Sequence, residues 1–173
     1  MHIAKGVTPK HMSGGEIRPI FWDARREELV LLDQRLIPDK TAYVRCRNYR
    51  QVAYAIKNMA VRGAPAIGVA AAYGMAIAAL KSGAKSRQAL LKELAHAKEI
   101  LSKTRPTAVN LFWALERMMM RAEGFEGGVD ELKEALLEEA AKILQEDIAV
   151  NRAIGRFGAE LIPDGARVLT HCN

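Results

Sequence analysis

The sequence predicts an α+β domain, an antiparallel β-meander followed by a helical bundle, with one last strand that opens a parallel α/β unit. Three observations carry this. Short apolar runs stand at hairpin spacing between Ile17 and Arg47. Helical periodicity takes over at Asn48 and holds to Leu161. A Pro163-Asp164-Gly165 turn then leads into the apolar pair Val168-Leu169, the usual start of a parallel sheet. The expected division is a flexible arm over 1–16, a meander and helical domain over 17–161, and the beginning of a further domain over 162–173.

Residues 1–16 mix Gly, Pro, Lys and Ser without period. The runs "RPIFWD" and "ELVLLDQRLIP", parted by the polar "ARREE", and then "TAYVRCR" supply three strands. In the third, Tyr43, Arg45 and Arg47 alternate with Val44 and Cys46, so the arginines share one face and Cys46 lies on the apolar one as an inert core thiol. Asn48 can cap a first helix whose Val52, Ala55, Ile56 and Met59 recur at helical spacing. Pro65 suits the first turn of a second, which runs to Leu80 with 17 uncharged residues. That stretch is mostly Ala and Gly, too short and too weakly hydrophobic to span a bilayer, and reads as a buried helix. Its small residues Ala64, Gly68, Ala72 and Ala76 let another backbone come close. Ser86 can cap a third helix, Thr107 a fourth, and Asp130 a long fifth. Leu132, Leu136, Leu137, Ile143, Leu144, Ile148 and Ile154 would form its inward stripe.

A composition of 50% hydrophobic and 27% charged residues excludes a disordered tail. Two cysteines, Cys46 and Cys172, do not make a disulfide scaffold, and the expected setting is a reducing cytoplasm. The net charge of +6 divides unevenly, +12 over residues 1–122 and −6 over 123–173. No acid stands between Asp39 and Glu93, where ten Lys or Arg occur. Such a stretch is either a landing surface for an anion or a solvated face neutralised by the acidic C-terminal part; charge count alone favours the second slightly.

Three places could carry chemistry. In Arg62-Gly63-Ala64-Pro65 an arginine precedes a helix start, Gly63 permits close backbone approach, and free N–H groups can cradle an anion. An ordinary helix start with a surface arginine fits the same residues and is the commoner arrangement. Arg105-Pro106-Thr107 repeats the design, and forked guanidinium donors suit phosphate. Asn110, Trp113 and Trp22 read as core or helix packing. Third, Thr170-His171-Cys172-Asn173 follows the last strand, and the carboxyl end of a strand in an open α/β sheet faces a ligand crevice. Cys172 there could serve as acid, base or nucleophile, or be a small buried residue. No metal is expected: His171 and Cys172 lack companions at ligand spacing, the other histidines being His2, His11 and His96. Neither G-x-G-x-x-G nor G-x-x-x-x-G-K-[ST] occurs, and aromatics are thin around the basic stretch, so no nucleic-acid partner is expected.

The blocks "RPIFWD…ELVLLDQRLIP", "MAVRGAPAIGVAAAYGMAIA", "RPTAVNLFWALERM", "EDIAVNRAIGRFGAELI" and "VLTHCN" stand in the order and spacing of the 5-methylthioribose-1-phosphate isomerase family. The chain resembles that family over nearly its whole length from Ile17. Relatives include ribose-1,5-bisphosphate and 5-deoxyribose-1-phosphate isomerases and the regulatory subunits of the translation-initiation guanine-nucleotide exchange factor. The resemblance implies a meander-plus-helices N-terminal domain followed by a Rossmann-like domain that carries most of a homodimer interface. It implies that Arg62, Gly63, Ala64 and Arg105 hold the substrate phosphate. It also implies that Cys172 is catalytic, with a partner Asp beyond the chain end, and that no cofactor is used. The implied reaction converts an aldose 1-phosphate into the ketose 1-phosphate in methionine salvage, by acid-assisted ring opening and transfer of hydrogen from C2 to C1. With four residues left after Leu169, the last strand has no neighbours in sequence. The chain is therefore expected to be one piece of a longer protein.

Overall fold

Strand β1 (Ile20–Asp23), strand β2 (Glu28–Leu32) and strand β3 (Tyr43–Cys46) form an antiparallel sheet in sequence order. A computed structural model describes residues 17–171 of the chain. The register sets Ile20 opposite Leu31 and Asp23 opposite Glu28, then Leu29 opposite Cys46 and Leu32 opposite Tyr43. Alternation gives the sheet two faces. Ile20, Leu29, Leu31, Val44 and Cys46 enter the main core, while Val30, Leu32 and Tyr43 make a second small cluster with Phe21. β2 is buried on both sides, which is why it reads as a continuous apolar run rather than an alternating one.

Helices follow: α1 (Tyr49–Lys57), α2 (Ala64–Leu80), α3 (Arg87–Ser102), α4 (Val109–Glu123) and α5 (Val129–Ala159). Asn48 caps α1 by accepting from the Gln51 N–H at 3.0 Å, and Ser86 caps α3 by accepting from the Ala89 N–H at 3.3 Å, as their side chains predict. Two other expected caps move by one or two positions. α4 begins after Ala108 rather than Thr107, with no side-chain cap. α5 begins after Gly128, and Glu131 rather than Asp130 closes it, its carboxylate accepting from the Gly128 N–H at 2.5 Å. From the third helical position the Glu131 side chain reaches back to the N-cap amide, the capping-box arrangement.

α2 is the axis of the bundle. Residues 67–79 are buried without interruption, and α1, α3, α4 and α5 all pack against it. Its Ala and Gly composition is what four neighbours around one helix require: bulkier side chains would hold the backbones apart. A Cβ on Gly68 would meet the Asn110 carbonyl oxygen at 2.8 Å, and one on Gly74 would meet Leu101 Cδ1 at 3.1 Å and Val52 Cγ1 at 3.3 Å. No helix among the described residues is long and apolar enough to cross a membrane.

The inward stripe of α5 holds for its first half only. Leu132, Leu136, Ile143 and Leu144 are buried, and Leu137 and Ile148 are partly so, but Ile154 is 65% exposed. α5 outruns the bundle, and beyond Ile148 nothing in the described chain covers it. The expected strand at Val168-Leu169 is likewise absent: residues 166–171 carry no strand, and Leu169 is 96% exposed. A strand is held by hydrogen bonds to a neighbour, and the three-stranded meander does not extend to this segment. The arm over 1–16 lies outside the described residues, as does Cys172.

Candidate functional site

The two Arg-before-helix segments open helices whose first turns touch. The missing side chain of Gly68, one turn into α2, leaves room for the Asn110 carbonyl at the start of α4. The starts of α2 and α4 therefore lie side by side, although residues 64 and 109 are far apart in sequence. Gly63 is the N-cap of α2 at φ 92°, in the left-handed region that glycine adopts without strain, and Pro65 sits in the first turn. Neither α2 nor α4 has a side-chain cap or an acidic residue in its first turn. The positive ends of two helix dipoles are thus presented together, with their amides uncapped by the chain's own side chains.

Arg62 precedes the start of α2 by two residues and Arg105 precedes that of α4 by four. Arg62 is exposed and Arg105 half-buried. Among the described residues no carboxylate pairs with either guanidinium, whereas the partly buried Arg45 and Arg117 each pair with two. The Gln34 side-chain amide donates to the Arg62 carbonyl at 3.3 Å, and the Gln34 N–H donates to the Ala60 carbonyl at 3.0 Å, so the loop after β2 braces the segment that carries Arg62.

Three other cations of the acid-free basic stretch are neutralised, and by partners other than the acidic C-terminal part. Arg45 donates to Asp23 at 2.9 Å and Glu28 at 3.2 Å, Arg47 donates to Glu28 at 2.5 Å, and Lys81 pairs with Glu27. All three acids belong to the first hairpin. The hydrogen bond from Arg45 holds the Asp23 carboxyl below its ordinary range. Arg87 is occupied too, donating to the Ala122 and Glu123 carbonyls at the C-terminus of α4.

Cys46 is the inert thiol its strand position predicts: burial pushes it up to about 12. Trp22 packs as expected, stacked on Tyr73 with ring centroids 5.7 Å apart. Trp113 does not. It is 50% exposed and lines a cleft of about 440 Å³ between α2, α4 and α5, with the Arg117 guanidinium 5.4 Å from its ring centroid. Arg117 also reaches across to α5, donating to Glu139 at 2.6 Å and to Glu146. This cleft, which adjoins the paired helix starts through Pro65, Gly68 and Asn110, was not visible in sequence. The one signal of it was a tryptophan directly beside the buried positions of α4.

Comparison with known proteins places these features in a lineage. Methylthioribose-1-phosphate isomerase of Thermosipho africanus is 52% identical over 147 residues, covering 85% of this chain and 42% of that protein. The putative methylthioribose-1-phosphate isomerase of Methanocaldococcus jannaschii is 48% identical, covering 91% of this chain and 43% of its own length. The solved structure of 5-methylthioribose 1-phosphate isomerase from Pyrococcus horikoshii superposes with a TM-score of 0.81 at 42% identity, covering 95% of this chain and 45% of that one. That of the translation initiation factor eIF-2B subunit delta from A. fulgidus superposes at 0.82 with 46% identity, covering 91% and 45%. The chain spans less than half the length of these relatives. The model of the Initiation factor 2 subunit family matches residues 60–173, which include both Arg-before-helix segments. With that match and the two superpositions in agreement, this chain belongs to the Initiation factor 2 subunit family.

Proposed function

We propose that the chain is the N-terminal portion of an isomerase that converts 5-methylthioribose 1-phosphate into 5-methylthioribulose 1-phosphate in methionine salvage. The observation that carries it is the pairing of the α2 and α4 starts, each preceded by an arginine that has no carboxylate partner among the described residues. An ester phosphate fits such a site: forked guanidinium groups of Arg62 and Arg105 take its oxygens, and the uncapped amides near Gly63 and Ala64 complete the cradle. The names of the most similar relatives support the substrate.

The phosphate on C1 blocks spontaneous opening of the sugar ring, so an acid must assist it. Cys172 and an Asp of the following Rossmann-like domain exchange protons with the sugar while Arg62 and Arg105 fix the other end. Fixing the phosphate converts encounter with these groups into a positioned, intramolecular event. The exposed second half of α5 is the seat of that domain, and the complete protein is a cytoplasmic homodimer that uses no cofactor.

In the complete protein, Arg62→Ala and Arg105→Ala should each weaken binding of the 1-phosphate sugar by roughly 1.5–3 kcal/mol, the worth of one charge-assisted contact. Unchanged affinity in either variant would refute the phosphate site. The 173-residue chain alone should be inactive and recover turnover when the second domain is supplied as a separate polypeptide. Likeness to the solved eIF-2B subunit delta favours one alternative, a regulatory subunit on the same scaffold. It predicts sugar-phosphate or nucleotide binding without turnover in the reconstituted protein.

A further inference from the structure

We infer that Gln34 is a positioning residue of the phosphate site, holding the Arg62–Gly63 peptide so that its N–H is turned toward the substrate phosphate. This rests on the reading of Arg62, Gly63 and Ala64 as a phosphate cradle, and it gives the β-meander a part in binding. Gln34 stands two residues after the end of β2 and grips the segment between α1 and α2 twice. Its backbone N–H donates to the Ala60 carbonyl at 3.0 Å, and its side-chain amide donates to the Arg62 carbonyl at 3.3 Å. The two carbonyls flank Val61, which is buried with Ala60 in the main core.

The contact to Arg62 matters because of what lies at the other end of the same peptide. Arg62 and Gly63 are joined by a trans bond, and in a planar trans peptide the carbonyl and the N–H point in opposite directions. A donor on the Arg62 oxygen therefore turns the Gly63 N–H away from the meander. Among the described residues this N–H has no hydrogen-bond partner. The peptides on either side are held by the backbone itself. At the end of α1 the Ala60 N–H donates to the Ala55 carbonyl at 2.9 Å, and in α2 the Ile67 N–H donates to the Gly63 carbonyl at 3.0 Å. Gly63, at φ 92° and ψ 129°, lacks the Cβ that would restrain the peptide between them. Without a hold on its carbonyl that plane would turn and carry the amide out of the cradle. The hold has a fixed base: Asp33 is buried, donates its N–H to the Ala42 carbonyl at 2.8 Å, and accepts from Arg35 Nε at 2.8 Å. A group that orients a binding amide must itself be anchored in this way.

The test uses the complete two-domain protein with Gln34→Met, which keeps the length but has no donor, and Gln34→Ala as a second variant. In both, KM for 5-methylthioribose 1-phosphate should rise roughly three- to tenfold, the scale of one hydrogen bond, while kcat changes less. Competitive inhibition by inorganic phosphate should weaken by the same factor, whereas inhibition by unphosphorylated 5-methylthioribose should not move. A general loosening of the fold would instead lower the melting temperature and weaken both inhibitors alike. Leu36→Ala, in the same loop and 40% exposed, should behave as the parent. Unchanged KM and phosphate inhibition in both Gln34 variants, or equal weakening of the two inhibitors, would overturn the positioning role while leaving the phosphate site intact. Full phosphate inhibition retained in Arg62→Ala would overturn the site itself and this inference with it.

Discussion

At the scale of single residues, the chain separates charges that hold the fold from charges left available. Glu28 is buried and receives both Arg45 and Arg47, so the arginine face of β3 is closed by the hairpin that precedes it. Asp33 is buried as well and accepts from Arg35 Nε at 2.8 Å and Nη2 at 2.6 Å. These hydrogen bonds hold its pKa below the ordinary 3.8. A carboxyl depressed on folding contributes stability that is complete above its unfolded value and lost as pH falls through its folded one. Asp33→Asn should therefore lower the melting temperature at neutral pH, and the gap from the parent should close below about pH 4. Thermal unfolding followed by circular dichroism over that range measures it. A gap that stays constant with pH would mean that the ion pair adds nothing.

Among the elements, α2 decides the architecture because four helices touch it. Close approach of α2 and α4 at Gly68 is also what sets the two uncapped helix starts beside each other. Gly68→Ala adds one methyl that meets backbone, not a movable side chain, and the helices must part. The expected loss is about 1–3 kcal/mol of stability, together with weaker sugar-phosphate binding because Arg62 and Arg105 separate. Denaturant melts and substrate titration of the same variant test the two effects. Gly83→Ala is the control, since a Cβ there meets nothing within 4 Å. Equal behaviour of the two variants would show that the α2–α4 contact does not position the site.

For the whole molecule, the opposite charges of the two parts do meet, but at few points. α5 packs on α2 and α4 through Leu132, Leu136, Ile143 and Leu144, and Arg117 ties α4 to Glu139 and Glu146. The union is mainly apolar, with one arginine bridging it. Removing residues from 129 onward should expose the α2 and α4 faces and leave a remnant that aggregates or fails to fold. A monomeric, well-dispersed remnant by amide NMR would show instead that α5 is an independent addition. The outer half of α5 contributes nothing to this core: Val150, Ile154 and Phe157 are exposed, and substitutions there should leave the melting temperature of the 173-residue chain nearly unchanged.

The sequence by itself determined the three strands of the meander, the inward Val52, Ala55 and Ile56 of α1 (though Met59 of the same pattern is exposed), the caps at Asn48 and Ser86, the burial of α2 and the silence of Cys46. Each follows from neighbours within a turn or a hairpin, where spacing dictates which side chains share a face. It also singled out Arg62 and Arg105, since an arginine ahead of a helix start is a local pattern. What only the tertiary structure decided is long-range. The adjacency of the α2 and α4 starts depends on one missing Cβ at Gly68 meeting one carbonyl at Asn110. The partners of Arg45, Arg47 and Lys81 came from the first hairpin because the sheet register, not net charge along the chain, sets which acids lie within reach. Ile154 and Leu169 read as buried because periodicity reports which face of an element is apolar, while burial depends on a second surface being there to meet it.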